Sequence, residues 1–129
     1  MARPKNQPLE PWELEAWAED YRFLIEQGLT RRDIAKRLGM TLKVVETRCR
    51  DLKLWHPEFR YRGIDERLQQ LIQAGQPFSA VDFSLRFDAN DVALLLKAAA
   101  GIGMLREVGR RSLVTGSNPS ALTAVYEPA

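Results

Sequence analysis

The stretch TRRDIAKRLGMTLKVVETRCRDLKL, residues 30–54, constrains the fold more than any other part of the chain. Its apolar residues recur at helical spacing, and the pattern is interrupted once, at Gly39. A glycine suits a tight turn because it adopts a positive φ without steric cost. A threonine that can cap a helix precedes each half. The stretch therefore predicts two short helices, about 31–38 and 41–53, joined by a turn.

An acidic helix is predicted before this stretch. From Trp12 to Glu26 the apolar residues form one helical stripe, and Gly28 lies where a helix usually ends. We expect Trp12 and Trp17 on this stripe to lie in the core. Residues 12–28 carry five acidic side chains and one basic, whereas residues 30–54 carry eight basic and three acidic. A net charge of +2 thus hides a strongly basic patch of the kind that attracts polyanions.

Residues 1–11 are polar and proline-rich, which favours an extended arm. Arg3 and Lys5 are candidates for minor-groove contact, as in the arms of homeodomains, although tails without fixed structure also carry basic residues. The arm lacks the apolar run of a signal peptide, and no stretch is long enough to span a bilayer. With a single cysteine, which excludes an intramolecular disulfide, we expect a cytoplasmic protein without membrane contact.

The second half has a different pattern. Residues 55–63 are aromatic, contain proline and glycine, and predict a linker between a domain at 12–54 and another at 64–129. In the second domain we expect three helices and then two short strands around a long loop. The helices are expected at about 64–74, 79–87 and 91–101. The expected fold class is mainly α, with a three-helix N-terminal domain and a C-terminal β-hairpin.

The basic stretch has the apolar and small residues of a known DNA-binding motif. In a helix-turn-helix, two helices cross closely, so small residues stand at the crossing and a glycine often stands in the turn. Here Ala35 and Gly39 are four residues apart, and the expected anchors are Ile34, Leu38, Met40, Val45 and Cys49. These residues resemble the helix-turn-helix of bacterial regulators of the LuxR and sigma-region-4 type. Arg48 departs from the pattern, and Cys49 and Leu52 would anchor the helix instead.

If Val45, Cys49 and Leu52 face inward, the opposite face of the third helix points outward. Arginine or lysine pairs with guanine, glutamate with the cytosine amino group, and threonine or an apolar side chain with the thymine methyl group. The base-reading candidates are Thr41, Leu42, Lys43, Glu46, Thr47 and Arg50. The phosphate-contact candidates, which position the protein without reading sequence, are Arg31, Arg32, Arg37, Arg48 and Lys53. The alternative is a charged helix face that only meets solvent.

The second domain resembles a winged helix, with Asp88 at the position that corresponds to Gly39. Its last helix, NDVALLLKAAAGIG, is mostly apolar. The candidates for DNA contact in the last helix and the wing are Asn90, Lys97, Arg106, Arg110 and Arg111. Because acidic residues offset these cations, use of this domain for protein contact alone is the competing interpretation.

Nothing in the sequence favours an enzyme. It has no glycine-rich phosphate loop and no metal-ligand spacing, and His56 has no evident catalytic partner, so no cofactor, metal or small-molecule ligand is expected. Two unlike modules in a chain of this size resemble the two-domain immunity repressors of mycobacteriophages. The resemblance implies a regulator that binds double-stranded DNA sequence-specifically at asymmetric sites in a bacterial or phage-infected cell. We expect a monomer, with a homodimer left open, and the alternative is a protein-interaction adaptor or polymerase-binding factor.

Overall fold

The computed structural model describes residues 9–112 and 122–129. The described residues form five α-helices and one three-stranded antiparallel sheet, which confirms the expectation of a mainly helical chain with a small C-terminal sheet. They divide into two compact units, one reaching Glu58 and the other beginning at Phe59. We call these the N-terminal unit and the C-terminal unit.

The N-terminal unit consists of α1 (Pro11–Glu26), α2 (Arg31–Leu38) and α3 (Leu42–Asp51). The threonines predicted to cap α2 and α3 do so. Thr30 Oγ1 accepts a hydrogen bond from the Asp33 amide at 3.1 Å, and the Asp33 carboxylate accepts one from the Thr30 amide at 3.2 Å. Thr41 Oγ1 accepts one from the Val44 amide at 3.2 Å. These bonds satisfy amides that a helix start would otherwise leave unpaired, so both boundaries follow from local sequence.

The core of the N-terminal unit lies where the three helices meet. Its buried residues are Trp17, Ala18, Tyr21, Leu24, Ile25, Ile34, Ala35, Val45, Cys49 and Leu54. The expectation that Trp12 lies in this core is wrong, since 68% of Trp12 is exposed. At about 100° per residue, the five-residue step from Trp12 to Trp17 places Trp12 on the outer face of α1.

Every α-helix but one ends on a left-handed glycine, at positions 28, 39, 75 and 103. At the end of α2, Gly39 has a φ of 67°, and the Met40 amide donates to the Ala35 carbonyl at 2.9 Å. The end of α3 has the same arrangement with a lysine in the glycine position. Lys53 has a φ of 51°, and the Leu54 amide donates to the Cys49 carbonyl at 2.8 Å. Lys53 therefore carries the steric cost that glycine avoids.

Replacing Lys53 by glycine should raise the free energy of unfolding by about 0.5–1 kcal/mol, because glycine relieves the left-handed strain and this gain exceeds its extra entropy in the unfolded chain. Urea unfolding would measure the change. The control, Lys36→Gly, replaces an exposed lysine inside α2 and should lower stability by about 1 kcal/mol. If the Lys53→Gly protein were less stable than wild type, the claim that the backbone at Lys53 is strained would be wrong.

The C-terminal unit begins with a 3₁₀ turn, Phe59–Tyr61, so helical structure starts inside the predicted linker. The helices are α4 (Arg62–Ala74) and α5 (Ala89–Gly101). The strands are β1 (Phe78–Ser79), β2 (Leu105–Ser112) and β3 (Leu122–Pro128). The sheet order is β1–β3–β2, with all pairs antiparallel, and β2 and β3 form the predicted hairpin. Strand β1 was not predicted.

The prediction of a helix over residues 79–87 is wrong. Ser79 and Asp82 form the predicted capping box, but it opens only a 3₁₀ turn, Ala80–Asp82. Phe83 then adopts extended backbone angles, φ −99° and ψ 152°, and its side chain is 5% exposed. Its ring packs near that of Phe78, with centroids 6.5 Å apart. Burial of Phe83 in the core has overridden the local helix signal, as tertiary packing often does.

Candidate nucleic-acid interface

The base-reading candidates lie on or just before α3, on a helix that is anchored from its other side. Val45 and Cys49 of α3 are 0% and 2% exposed, and they hold the helix in the core. Four of the six candidates are exposed and two are half-buried. The exposed ones are Thr41, Lys43, Glu46 and Arg50, and the half-buried ones are Leu42 and Thr47. The anchored helix therefore presents ammonium, guanidinium, carboxylate and hydroxyl groups to solvent.

Thr41 has the capping role predicted for it and is also a base-reading candidate. Its Oγ1 accepts the Val44 amide hydrogen, which starts α3, and its hydroxyl hydrogen stays available for a phosphate or base acceptor. A group bound there would also meet the positive end of the helix dipole. Cap and contact are compatible because they use different parts of one hydroxyl group.

Val44 was missed as a candidate, although 37% of it is exposed. It lies among the polar residues of α3, where its methyl groups can contact a thymine methyl group. The sequence did contain a signal. Adjacent helical residues are about 100° apart, so the pair Val44 and Val45 cannot both face the same core.

The phosphate-contact candidates differ in how exposed their side chains are and in whether other residues already hold them. Arg32, Arg37 and Lys53 are exposed, whereas Arg31 and Arg48 are half-buried. The Arg31 Nε donates a hydrogen bond to the Tyr21 hydroxyl at 3.0 Å. Burial raises the pKa of the Tyr21 phenol above its ordinary value, so Tyr21 stays neutral and accepts this bond. Arg31 is therefore fixed in direction, and only its terminal nitrogens remain for a phosphate.

Arg48 covers part of the core. Its guanidinium carbon lies 5.6 Å from the centroid of the Trp17 ring, a cation–π distance. Long basic side chains often lay their methylene groups over apolar surface in this way. This contact gives the Arg48 side chain a place over the core, and it makes Arg48 a poor candidate for a mobile phosphate contact.

The residues after α3 belong to the N-terminal unit. The Tyr21 hydroxyl donates to the His56 carbonyl at 3.5 Å, and His56 Nε2 lies 2.7 Å from the Glu26 carboxylate. The Glu58 carboxylate accepts the Arg31 amide hydrogen at 2.7 Å, at the start of α2. A carboxylate at that end is favoured by the helix dipole. His56, which lies in the predicted linker, is thus in contact with α1.

The buried thiol of Cys49 gives the N-terminal unit a pH dependence. Burial raises the pKa of this thiol above its ordinary value. As pH rises above about 8.5, the unfolded chain loses this proton before the folded chain does, so stability falls. Between pH 7 and pH 9.5, urea unfolding should show wild type losing more stability than Cys49→Ala. If both proteins lost the same free energy of unfolding, burial would not protect the Cys49 thiol from ionisation.

The four candidates of the C-terminal unit whose side chains are described are exposed, but two of them pair with acids. Asn90 and Lys97 lie exposed on α5. Arg106 bonds to Glu127, and the Arg110 Nε lies 3.5 Å from the Glu107 carboxylate. Surface pairs of this kind are worth little and can exchange for a phosphate. The side chain of Arg111, and the arm with Arg3 and Lys5, lie outside the described residues.

Comparison with known proteins gives no matching family model, no similar curated protein and no similar solved structure. In residues 9–112 and 122–129, no cluster of three or more His, Cys, Asp or Glu side chains is placed to hold a metal ion. The helices within those ranges are all too short or too polar to cross a bilayer.

Proposed function

We propose that this chain is a sequence-specific, double-stranded DNA-binding regulator, in which α2 and α3 form a helix-turn-helix. The observation that carries the proposal is α3 itself. One side of this helix is locked in the core, while Lys43, Glu46 and Arg50 on it are exposed. An anchored helix with such groups on its free side suits insertion into a major groove.

The connection between α2 and α3 supports this motif. The helices are separated by residues 39–41, a three-residue turn, and its first residue is a left-handed glycine. Ala35, which is 4% exposed, supplies the small side chain that close helix packing needs. In this arrangement Arg32 and Arg37 contact phosphates beside the groove, and Arg31 does so from its fixed position on Tyr21.

For the C-terminal unit we propose a winged-helix arrangement, with α5 as the groove helix and the β2–β3 hairpin as the wing. The support is its order of elements, α4, β1, α5, β2 and β3, with β3 in the middle of the sheet. The DNA contacts would come from Asn90, Lys97, Arg106 and Arg110. Two unlike readers in one chain favour a monomer on an asymmetric operator, like the repressors of mycobacteriophages that the sequence resembles.

A second function, protein docking by the C-terminal unit, is favoured by its exposed apolar residues. Leu85 is fully exposed before α5, and 54% of Leu94 on α5 is exposed. Base-reading helices are usually more polar than this surface. In this alternative the N-terminal unit alone binds DNA, and the C-terminal unit recruits another protein.

Selection of bound sequences from a random DNA pool tests the proposal. The regulator predicts an enriched motif without palindromic symmetry, and sedimentation of the complex should give one chain per site. A different result would assign protein docking to the C-terminal unit. In that case the enriched motif is short, its binding depends on Lys43 and Arg50, and Asn90→Ala and Lys97→Ala have no effect. No enrichment at all would overturn the regulator.

A further inference from the structure

The outer face of α1 carries two large aromatic side chains that the N-terminal unit does not bury. Trp12 is 68% exposed and Phe23 is 62% exposed. Ala16 and Glu19 lie exposed between them. The intervals of four, three and four residues place all four on one helix face. At 1.5 Å per residue, the two aromatic residues stand about 16 Å apart along the helix axis.

This face is acidic as well as aromatic. Glu15, Glu19 and Asp20 are exposed on α1, and the one basic residue of the helix is Arg22. Trp and Phe are costly to expose and are enriched in the centres of protein interfaces. An exposed aromatic pair with carboxylates between and beside it is therefore a surface suited to a partner with both apolar and basic side chains.

A shallow groove runs beside this face and enlarges its apolar area. It has a volume of about 490 Å³ and lies between α1 and the residues that end α3. Its apolar lining comes from Pro11, Leu14, Ala18, Leu52 and Leu54. Glu15, Glu19 and Arg22 also line the groove, so its charged lining is two carboxylates and one guanidinium, and the two carboxylates border both the groove and the aromatic face.

Charge selects among the possible occupants of this surface. DNA and anionic lipid headgroups are polyanions, which the carboxylates of α1 repel. A second copy of the chain that paired α1 with α1 would bring five acidic residues against five, with one basic residue on each side. Like charges across an interface oppose binding. A basic protein segment has the complementary charge.

We propose that the outer face of α1 docks a basic amphipathic helix of a partner protein. The apolar side chains of that helix would cover Trp12 and Phe23, and its lysines or arginines would pair with Glu15, Glu19 and Asp20. This docking does not require the DNA-binding role of α3, and in a DNA-binding regulator it would connect the bound protein to a second protein.

The test uses the full chain and two synthetic 18-residue amphipathic helices, one of leucine and lysine and one of leucine and glutamate. Calorimetry gives affinity, and amide chemical shifts in NMR spectra locate the binding site. We expect the lysine peptide to shift the amides of α1, and the glutamate peptide to leave them unchanged. A lysine peptide with the same composition in scrambled, non-amphipathic order should bind at least about tenfold more weakly.

The variants Trp12→Ala/Phe23→Ala and Glu15→Lys/Glu19→Lys should each weaken the lysine peptide by at least about tenfold. These positions are exposed, so the melting temperature should stay close to that of wild type. Leu85→Ala, an exposed apolar position of the C-terminal unit, should not change the affinity. Unchanged affinity in both α1 variants, or peptide shifts outside α1, would overturn the docking surface. DNA binding is measured on the same variants. If it stays intact while the docking test fails, only the docking proposal is overturned and the proposed DNA-binding function stands.

Discussion

Replacing Lys43 and Arg50 together by alanine is expected to remove most sequence-specific DNA binding while the protein stays folded. Both side chains are exposed on α3, opposite its buried residues, so their loss leaves the core unchanged. Each should contribute about 1–3 kcal/mol if it pairs with a base, and the pair about 2–6 kcal/mol if the two act independently. Fluorescence anisotropy with the selected operator, at fixed salt, would measure the loss.

Arg22→Ala is the matched control for this experiment. Arg22 is an exposed arginine of the same unit, but it lies on the acidic helix α1. Its removal should change operator affinity little, because it is not on the proposed DNA-binding face. An equal loss on operator and random DNA for the α3 variant would assign Lys43 and Arg50 to phosphates. No loss on either DNA would remove α3 from the interface.

Replacing Ile34 by alanine is expected to remove a large part of the stability of the N-terminal unit. Ile34 is 0% exposed and belongs to the cluster that holds the three helices together. Truncating such a side chain costs about 2–5 kcal/mol, because apolar burial is lost and a cavity remains. A unit of this size has a small core, so this loss is a large part of its stability.

Urea unfolding followed by circular dichroism would measure the loss, and reaction of the Cys49 thiol with an alkylating reagent gives an independent reading. Cys49 is 2% exposed, so in the native protein it should react slowly, and in Ile34→Ala faster. The control, Val81→Ala, truncates a side chain that is 53% exposed and should change stability by less than about 0.5 kcal/mol. A native-like Ile34→Ala protein would mean that the three helices do not depend on this contact.

The part of the fold that local chemistry determines could be predicted from the sequence. The limits of α2 follow from the Thr30–Asp33 capping box at one end and Gly39 at the other, and the structure has both. Thr41 sets the start of α3 in the same way. Each signal acts within a few residues, so no knowledge of distant contacts was needed.

The sequence-based predictions fail where contacts between residues far apart in the chain determine the local structure. The Ser79 capping box formed, yet the helix after it did not, because Phe83 is buried in the core with an extended backbone. Strand β1 is two residues long and exists through its pairing with β3, which no local pattern signals. In the candidate site, the bond from Arg31 to Tyr21 joins residues on different helices, so the charge pattern alone made Arg31 look as free as Arg32.

The lysine at the end of α3 links the stability of the N-terminal unit to its proposed DNA contact. The other four α-helices of the described residues end on a left-handed glycine, which carries no such strain. At residue 53 the chain has a cation instead. Proteins tolerate a small deficit of this kind where activity compensates for it. If Lys53 makes the proposed phosphate contact, Lys53→Gly should give a chain that unfolds at a higher temperature and binds the selected operator less tightly.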